Sequence, residues 1–272
     1  MNPSIDPLLI TVAPNGAYKQ QADHPALPVG PAALALEASR CLDAGAAMMH
    51  LHVRDAAGRH SLDVETYRTA LAAVRAAVGR DMVLQVTSEA AKVYQAPAQI
   101  AMVQALVPEA VSIGLRELDQ PEIGEAGLAR FFAWLAEHRI MTQVILYDLP
   151  DLQRWQALRA SGVVPDAPWS LLFVLGRYSA GQRSSPRDLL PFVQAHQGTE
   201  RWSMCAFGAQ EHACGAAAAA LGGHVRVGFE NNLCLRDGRL APDNAALVRQ
   251  VVEVAAALGR PLATADDLRA WH

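Results

Sequence analysis

MMHLHVRDAAGRHSLDVETYRTALAAVRAAVGRDMVLQVTS, residues Met48 to Ser88, holds one complete turn of the pattern that decides the fold. It opens on a short apolar run, Met48–Arg54. It then crosses a helical stretch, Asp63–Gly79, that carries apolar residues at three- and four-residue steps and stops on glycine. It closes on a second apolar run, Met82–Ser88. Outward from this unit the alternation continues to both ends of the chain. Further candidate strands are Leu8–Pro14, Ala110–Leu115, Thr142–Asp148, Trp169–Gly176, Arg201–Gly208 and His224–Glu230. Helical patterns cover Pro31–Gly45, Gly124–Arg139, Ser185–Gln197 and Asn244–Gly259. Near-continuous apolar strands joined by helices imply a parallel sheet covered on both faces. Eight strand–helix pairs, with no linker and no change of composition between them, predict a single (β/α)8 barrel domain over residues 1–272. An open doubly wound sheet with one extra unit is the competing architecture.

Composition narrows the function classes. With 51% hydrophobic and 18% charged residues the chain is globular rather than disordered. A net charge of −4 without a basic stripe argues against nucleic acid as a partner. No apolar run approaches the roughly 20 residues needed to span a bilayer. The opening stretch MNPSIDPLLITVAPNGA lacks the basic and apolar segments of a signal peptide, so a cytoplasmic location is expected. Four scattered cysteines, without C-x-x-C spacing, read as packing residues of a reducing compartment.

In a barrel of this kind chemistry gathers at the C-terminal ends of the strands. His50 and His52 lie two apart in the second predicted strand, so both imidazoles leave the same face. Burying two imidazoles together is costly unless they share a partner, and a metal is the simplest one. The plainer alternative is one packed and one hydrogen-bonded histidine. In the last predicted strand Arg226, Gly228 and Glu230 share a face; Glu230 can complete a set of two histidines and a carboxylate, which is a catalytic zinc set. A buried Arg226–Glu230 ion pair is the competing reading. Asn15, Thr87, Ser88, Glu89, Ser112 and Gln210 fall at the same rim, where turn and cap roles compete with substrate contact. His60, His138, His196 and His272 are expected to be solvated.

The motifs VAPNGA (12–17), LPVGP (27–31), AGAAMMHLHVRDAAGRHS (44–61), GGHVRVGFENNL (222–233) and LGRPLATADDLR (258–269) together resemble the β-keto acid cleavage enzyme family, over essentially the full chain. The resemblance implies a (β/α)8 barrel, a homotetramer, and zinc held by His50, His52 and Glu230. It also implies a reversible Claisen-type exchange, in which a β-keto acid and acetyl-CoA give acetoacetate and a new acyl-CoA. Arg226 would lie beside the substrate. Asn15, Tyr18, Ser88 and Ser112 would contact it. Three departures stand out. Glu230 is followed by Asn231 where the family carries aspartate, in a position that handles protons. Ile145, in the fifth predicted strand, stands where an acid is usual. Ser88-Glu89-Ala90 replaces a Thr/Ser-Gly-Gly turn, which makes Glu89 either a relocated base or a surface carboxylate. Tyr18 follows Gly16-Ala17 where members acting on aminated substrates have an acid, so an uncharged or apolar acyl chain is expected.

Other readings use other residues. A Schiff-base aldolase needs a lysine inside the barrel mouth, and the only lysines, Lys19 and Lys92, fall in predicted loops. A barrel metallohydrolase needs further histidines on the middle strands. Another metal-dependent carbon–carbon lyase, or a barrel that binds metal and a β-keto acid or acyl-CoA without exchange, would share the metal residues.

Overall fold

A computed structural model describes residues 6–272, so the first residues of the opening stretch read for a signal peptide lie outside the described part. In chain order the elements are β1 (Ile10–Val12), α1 (Pro31–Asp43), β2 (Met48–Leu51), β3 (Val53–Arg54), β4 (His60–Ser61), α2 (Val64–Val78), β5 (Val83–Thr87), α3 (Ala96–Leu106) and β6 (Ala110–Gly114). They continue with α4 (Leu115–Leu118), α5 (Gly124–Glu137), β7 (Met141–Leu146), α6 (Leu149–Ala160) and β8 (Ser170–Leu175). A 3-10 turn (Pro186–Leu189) then runs into α7 (Leu190–Ala195), followed by β9 (Arg201–Ala206), α8 (Glu211–Ala220), β10 (His224–Val227), α9 (Asn244–Ala257) and α10 (Ala265–Ala270). Eight strands close in the order β1-β10-β9-β8-β7-β6-β5-β2, each parallel to its neighbours. The chain is a (β/α)8 barrel.

Strand parity sorts the side chains into two cores. Outward residues such as Ile10, Met49, Leu84, Val144, Phe173 and Val225 pack under the helices in one cluster. Inward residues fill the barrel, and its middle is unusually polar: Thr11, His50, Gln85, Ser112, Gln143, Ser203 and Arg226 are all buried. The helices begin where the sequence supplies caps. Asp63, Asp148 and Asp243 accept hydrogen bonds from Thr66, Asp151 and Ala246 backbone N–H groups, and α1 starts on Pro31.

Three predicted boundaries move, each for a local reason. The stretch Ser185–Gln197 is not one helix, because Pro186 and Pro191 divide it into a 3-10 turn and a short α-helix. The second strand leaves the barrel after Leu51. There the Asn15 carboxamide takes the place of a neighbouring strand, donating to His52 O at 2.9 Å and accepting from His52 N at 3.3 Å. Residues 53–54 then pair antiparallel with β4. The last strand ends at Val227, not Glu230. Gly228 adopts φ 141°, and a Cβ there would run into Ala13 O, so the chain turns. Asn231 N and Asn232 N bond back to Gly228 O at 2.8 and 3.0 Å, and Glu230 is carried over Arg226 by this turn rather than by strand parity. Glu211, on α8, braces the turn through Gly228 N and Asn232 Nδ2, both at 3.2 Å.

Gly228→Ala combines a disfavoured φ with a collision against backbone. It should cost at least about 1–3 kcal/mol and displace Glu230, seen as a lower Tm together with weaker metal binding. Burial pushes the Glu211 carboxyl up to about 8, against the opposing Asn232 and Gly228 bonds. The folded group therefore holds a proton that the unfolded one releases. Its contribution to stability is full below about 4.5 and is lost as pH rises through about 8. Melting at pH 5 and pH 9 should show a larger alkaline loss for the parent than for Glu211→Gln.

Candidate metal centre and active site

The site is assembled at the C-terminal end of the barrel by β2, the turn after β10 and the loops after β1, β5 and β8. His50 faces the axis from β2, paired in register with Gln85 on β5. Its Nδ1 lies 2.9 Å from Gln85 Oε1 and 3.5 Å from Ser112 Oγ. The amide oxygen only accepts, so Nδ1 carries the hydrogen and Nε2 presents a lone pair. His52 is oriented by a longer relay. His60 Nε2 lies 2.9 Å from the backbone oxygen of Glu89, and His60 Nδ1 lies 3.4 Å from His52 Nδ1. A carbonyl can only accept, which makes His60 Nε2 the donor and leaves its Nδ1 bare. His52 Nδ1 must then carry the hydrogen between the rings, so His52 Nε2 is bare as well.

These two lone pairs meet a carboxylate. His50 Nε2 and His52 Nε2 are 3.1 Å apart, and each is 3.5 Å from Glu230 Oε2. Glu230 Oε2 is buried without a hydrogen-bond partner, whereas Oε1 accepts from Arg226 Nη2 at 3.1 Å. Burial and the neighbouring Arg226 lower the His50 pKa to about 3, so its imidazole is neutral. Burial, the largest single influence, would raise Glu230, but the Arg226 guanidinium together with the His52 and His50 rings outweighs it and holds the carboxyl well below the usual range. Three electron pairs thus converge with no proton to separate them. The arrangement is repulsive for the bare protein and suited to a divalent cation, with ligating atoms all within 4.8 Å of one another.

Above the trio opens a cavity of about 390 Å³, bounded by Asn15, Tyr18, Lys19, Glu89, Glu117 and Arg177 among others. Glu89 leans over its edge, with Oε2 3.8 Å from His52 Nε2 and Oε1 3.2 Å from Arg177 Nη2. Arg177 also covers the Tyr18 and Phe207 rings at 4.9 and 5.1 Å. Lys19 Nζ donates to Glu230 O at 2.7 Å, and burial lowers its pKa. The loop after β5 is strained where it borders the cavity: Ala91 and Lys92 have φ of 47° and 62°. Glu117, whose pKa burial raises, pins that loop through Ala90 N at 3.0 Å and Gln99 Nε2 at 2.8 Å.

A model of the beta-keto acid cleavage enzyme matches residues 7–271. The chain belongs to that family. It is 30% identical to the 3-keto-5-aminohexanoate cleavage enzyme of Fusobacterium nucleatum over 97% of both chains. It is 27% identical to the 3-oxoadipate:acetyl-CoA acetyltransferase of Cupriavidus necator, over 97% of this chain and 94% of that one. The solved ternary complex of ObcA with a C4-CoA adduct and oxalate shares the fold, with TM-score 0.70 and 17% identity over 90% of this chain and 67% of that one.

In this member of the family, the structure gathers His50, His52, Glu230, Arg226 and Glu89 in one place. It sets the other sequence-derived candidates further out. Asn15 borders the cavity, but its amide is engaged with the His52 backbone. Tyr18 lies half-exposed at the rim. Ser112 sits behind His50, and Ser88 Oγ donates to Ser112 O at 3.3 Å. Asn231, next to Glu230 in the chain, is buried beside Cys205 with both side-chain polar atoms unpartnered and does not line the cavity. His60 is the clear correction: expected in solvent, it is buried and forms the middle of the relay to His52. Lys19, assigned to a loop and set aside, reaches the back of Glu230. Gln85, Glu117 and Arg177 were missed. Inward parity two residues before Thr87 could have exposed Gln85, but no spacing rule points to His60 or Arg177.

Removing the relay should loosen the metal without touching a ligand. His60→Ala is expected to weaken divalent-metal binding by about 10–100-fold. The measurement is competition against a chelating dye, with Tm recorded to separate this from unfolding.

Proposed function

We propose that this chain is a metal-dependent β-keto acid cleavage enzyme that exchanges a β-keto acid with acetyl-CoA, giving acetoacetate and an acyl-CoA. The observation that carries the reading is the convergence of two unprotonated imidazole nitrogens and an unpartnered carboxylate oxygen beside a buried arginine with spare donors. His50, His52 and Glu230 would hold the metal, and zinc suits two histidines and one carboxylate. When bound, the metal supplies Lewis-acid stabilisation of the negative charge that develops on a β-keto acid. Arg226 keeps Nε and Nη1 free of partners while Nη2 is held by Glu230, so it retains unused donors next to the trio. Lys19 and Arg177 make the cavity favourable for carboxylates. Glu89 is the proton acceptor best supported by position, held 3.2 Å from Arg177 at the cavity edge. Asn231 contributes through the turn that carries Glu230. Tyr18 under the Arg177 guanidinium supports a substrate without an ammonium group. The 3-keto-5-aminohexanoate cleavage enzyme and 3-oxoadipate:acetyl-CoA acetyltransferase relatives support the reaction class. A cytoplasmic homotetramer is part of the same proposal, to be checked by light scattering; among the described residues no helix is long and apolar enough to cross a membrane.

The test is turnover of a panel of β-keto acids with acetyl-CoA, on protein of known metal content. Chelation should abolish the exchange, and zinc should restore it. His50→Ala should lose most of its metal. Arg226→Lys keeps the charge but not the planar fork and should be slowed heavily with metal retained. Glu89→Gln should lower kcat by about 10²–10⁴ if it accepts the proton. Metal-replete protein that binds acetoacetate yet turns over no member of the panel would replace this reading with binding alone.

A further inference from the structure

The mouth of the barrel has two unlike halves. His50 belongs to β2, and β8 stands four strands from β2 in either direction round the closed ring, directly across from it. On that far side Ile145 and Val174, inward on β7 and β8, and Phe207, just after β9, belong to an apolar cluster of their own, with Tyr147 packed against it. These four residues wall a small inner chamber whose opposite side is formed by His50, Arg226 and Glu230. The larger cavity above shares Glu89, Glu117, Arg177 and Glu230 with this chamber, so charged groups stand where the two spaces meet.

The two spaces suit different parts of one molecule. Lys19 and Arg177 border the larger cavity and favour a carboxylate there. A group that passes the trio into the inner chamber meets hydrocarbon and aromatic side chains on its far side. A polar or charged end would be stripped of water there without a partner, which is costly. Room is short as well. The chamber measures about 20 Å³, and a single water already needs about 10–15 Å³. A β-keto acid is thereby ordered end to end, with its carboxylate toward Lys19 and Arg177, its keto carbon beside the trio and its substituent against Ile145 and Val174.

We propose that the inner chamber selects the acyl substituent, and that the substrates are 3-oxo acids with a short, unbranched hydrocarbon end, represented by 3-oxopentanoate. The inference rests on the exchange reading given above and adds to it the size and polarity of the acid. In the exchange with acetyl-CoA the C2–C3 bond of 3-oxopentanoate breaks and its C2 bonds to the acetyl carbonyl carbon. The coenzyme sulfur leaves that carbon for the propionyl carbon, giving acetoacetate and propionyl-CoA. Both acids of the reversible reaction then end in a group the chamber can take, a methyl in one and an ethyl in the other.

The test is calorimetric titration of metal-loaded protein with 3-oxopentanoate, 3-oxohexanoate, 3-oxooctanoate and 3-oxoadipate without acetyl-CoA, followed by kcat/KM for each acid in the exchange. 3-Oxopentanoate should exceed 3-oxohexanoate by about 10–200-fold in kcat/KM, the worth of one methylene in an apolar pocket. 3-Oxoadipate, with the same number of carbons as 3-oxohexanoate, should bind more weakly still, because its second carboxylate finds no partner. Ile145→Ala should remove the penalty on 3-oxohexanoate. Val174→Ala is the second enlarging variant, and melting curves report the folding of both. The proposal is overturned if the parent binds short and long acids alike, if 3-oxoadipate matches 3-oxohexanoate, or if neither variant changes the order. Titration and turnover separate it from the exchange reading. A size order in binding without turnover keeps the chamber and removes the exchange, whereas turnover without a size order removes the chamber alone. Absence of binding for every acid overturns both.

Discussion

Everything at the mouth of this barrel depends on the seam between β1 and β10. Ala13 N donates to Val227 O at 2.8 Å, and Ala13 O then accepts from Glu230 N at 3.1 Å, across the turn that Gly228 makes possible. On the other side Gly16, at φ 64°, leaves no room for a Cβ against Glu230. Two glycines and one carbonyl therefore fix where the carboxylate can be. The histidines are fixed separately, by register for His50 and by the Asn15 carboxamide for His52. The site is a meeting of three independently anchored backbones, which is how a constellation of this kind is kept rigid.

The fold was legible because its signal is long-range and redundant. Eight apolar runs and their helices need no exact boundaries to imply a closed parallel barrel. Boundaries failed where one residue outweighed the pattern: Gly228 ended a strand that hydrophobicity alone would extend, and two prolines divided a helix. The convergence of His50, His52 and Glu230 was legible for a chemical reason, since two imidazoles on one strand face call for a shared partner. Its third member was found for an incomplete reason, because the turn rather than strand parity delivers Glu230.

What stayed hidden in the sequence was the support around the trio. His60 comes from a short hairpin that forms only because β3 leaves the barrel, an event set by Asn15 some 37 positions away from His52 in sequence. Lys19 and Arg177 sit on loops, whose side-chain directions carry no period. A lysine in a predicted loop was reasonably set aside for imine chemistry. It nevertheless borders the cavity, because loops after barrel strands fold inward over the mouth.

The relay that orients His52 ends on the main-chain oxygen of Glu89, not on its side chain. Any residue at position 89 supplies that oxygen. The carboxylate can therefore be exchanged for another group, acidic, neutral or bulky, while the imidazole keeps its tautomer. Under the proposed function, metal retention and proton transfer would thereby be uncoupled at a single position. A lineage built on this barrel would be free to try new chemistry at the cavity edge without disturbing the orientation of His52.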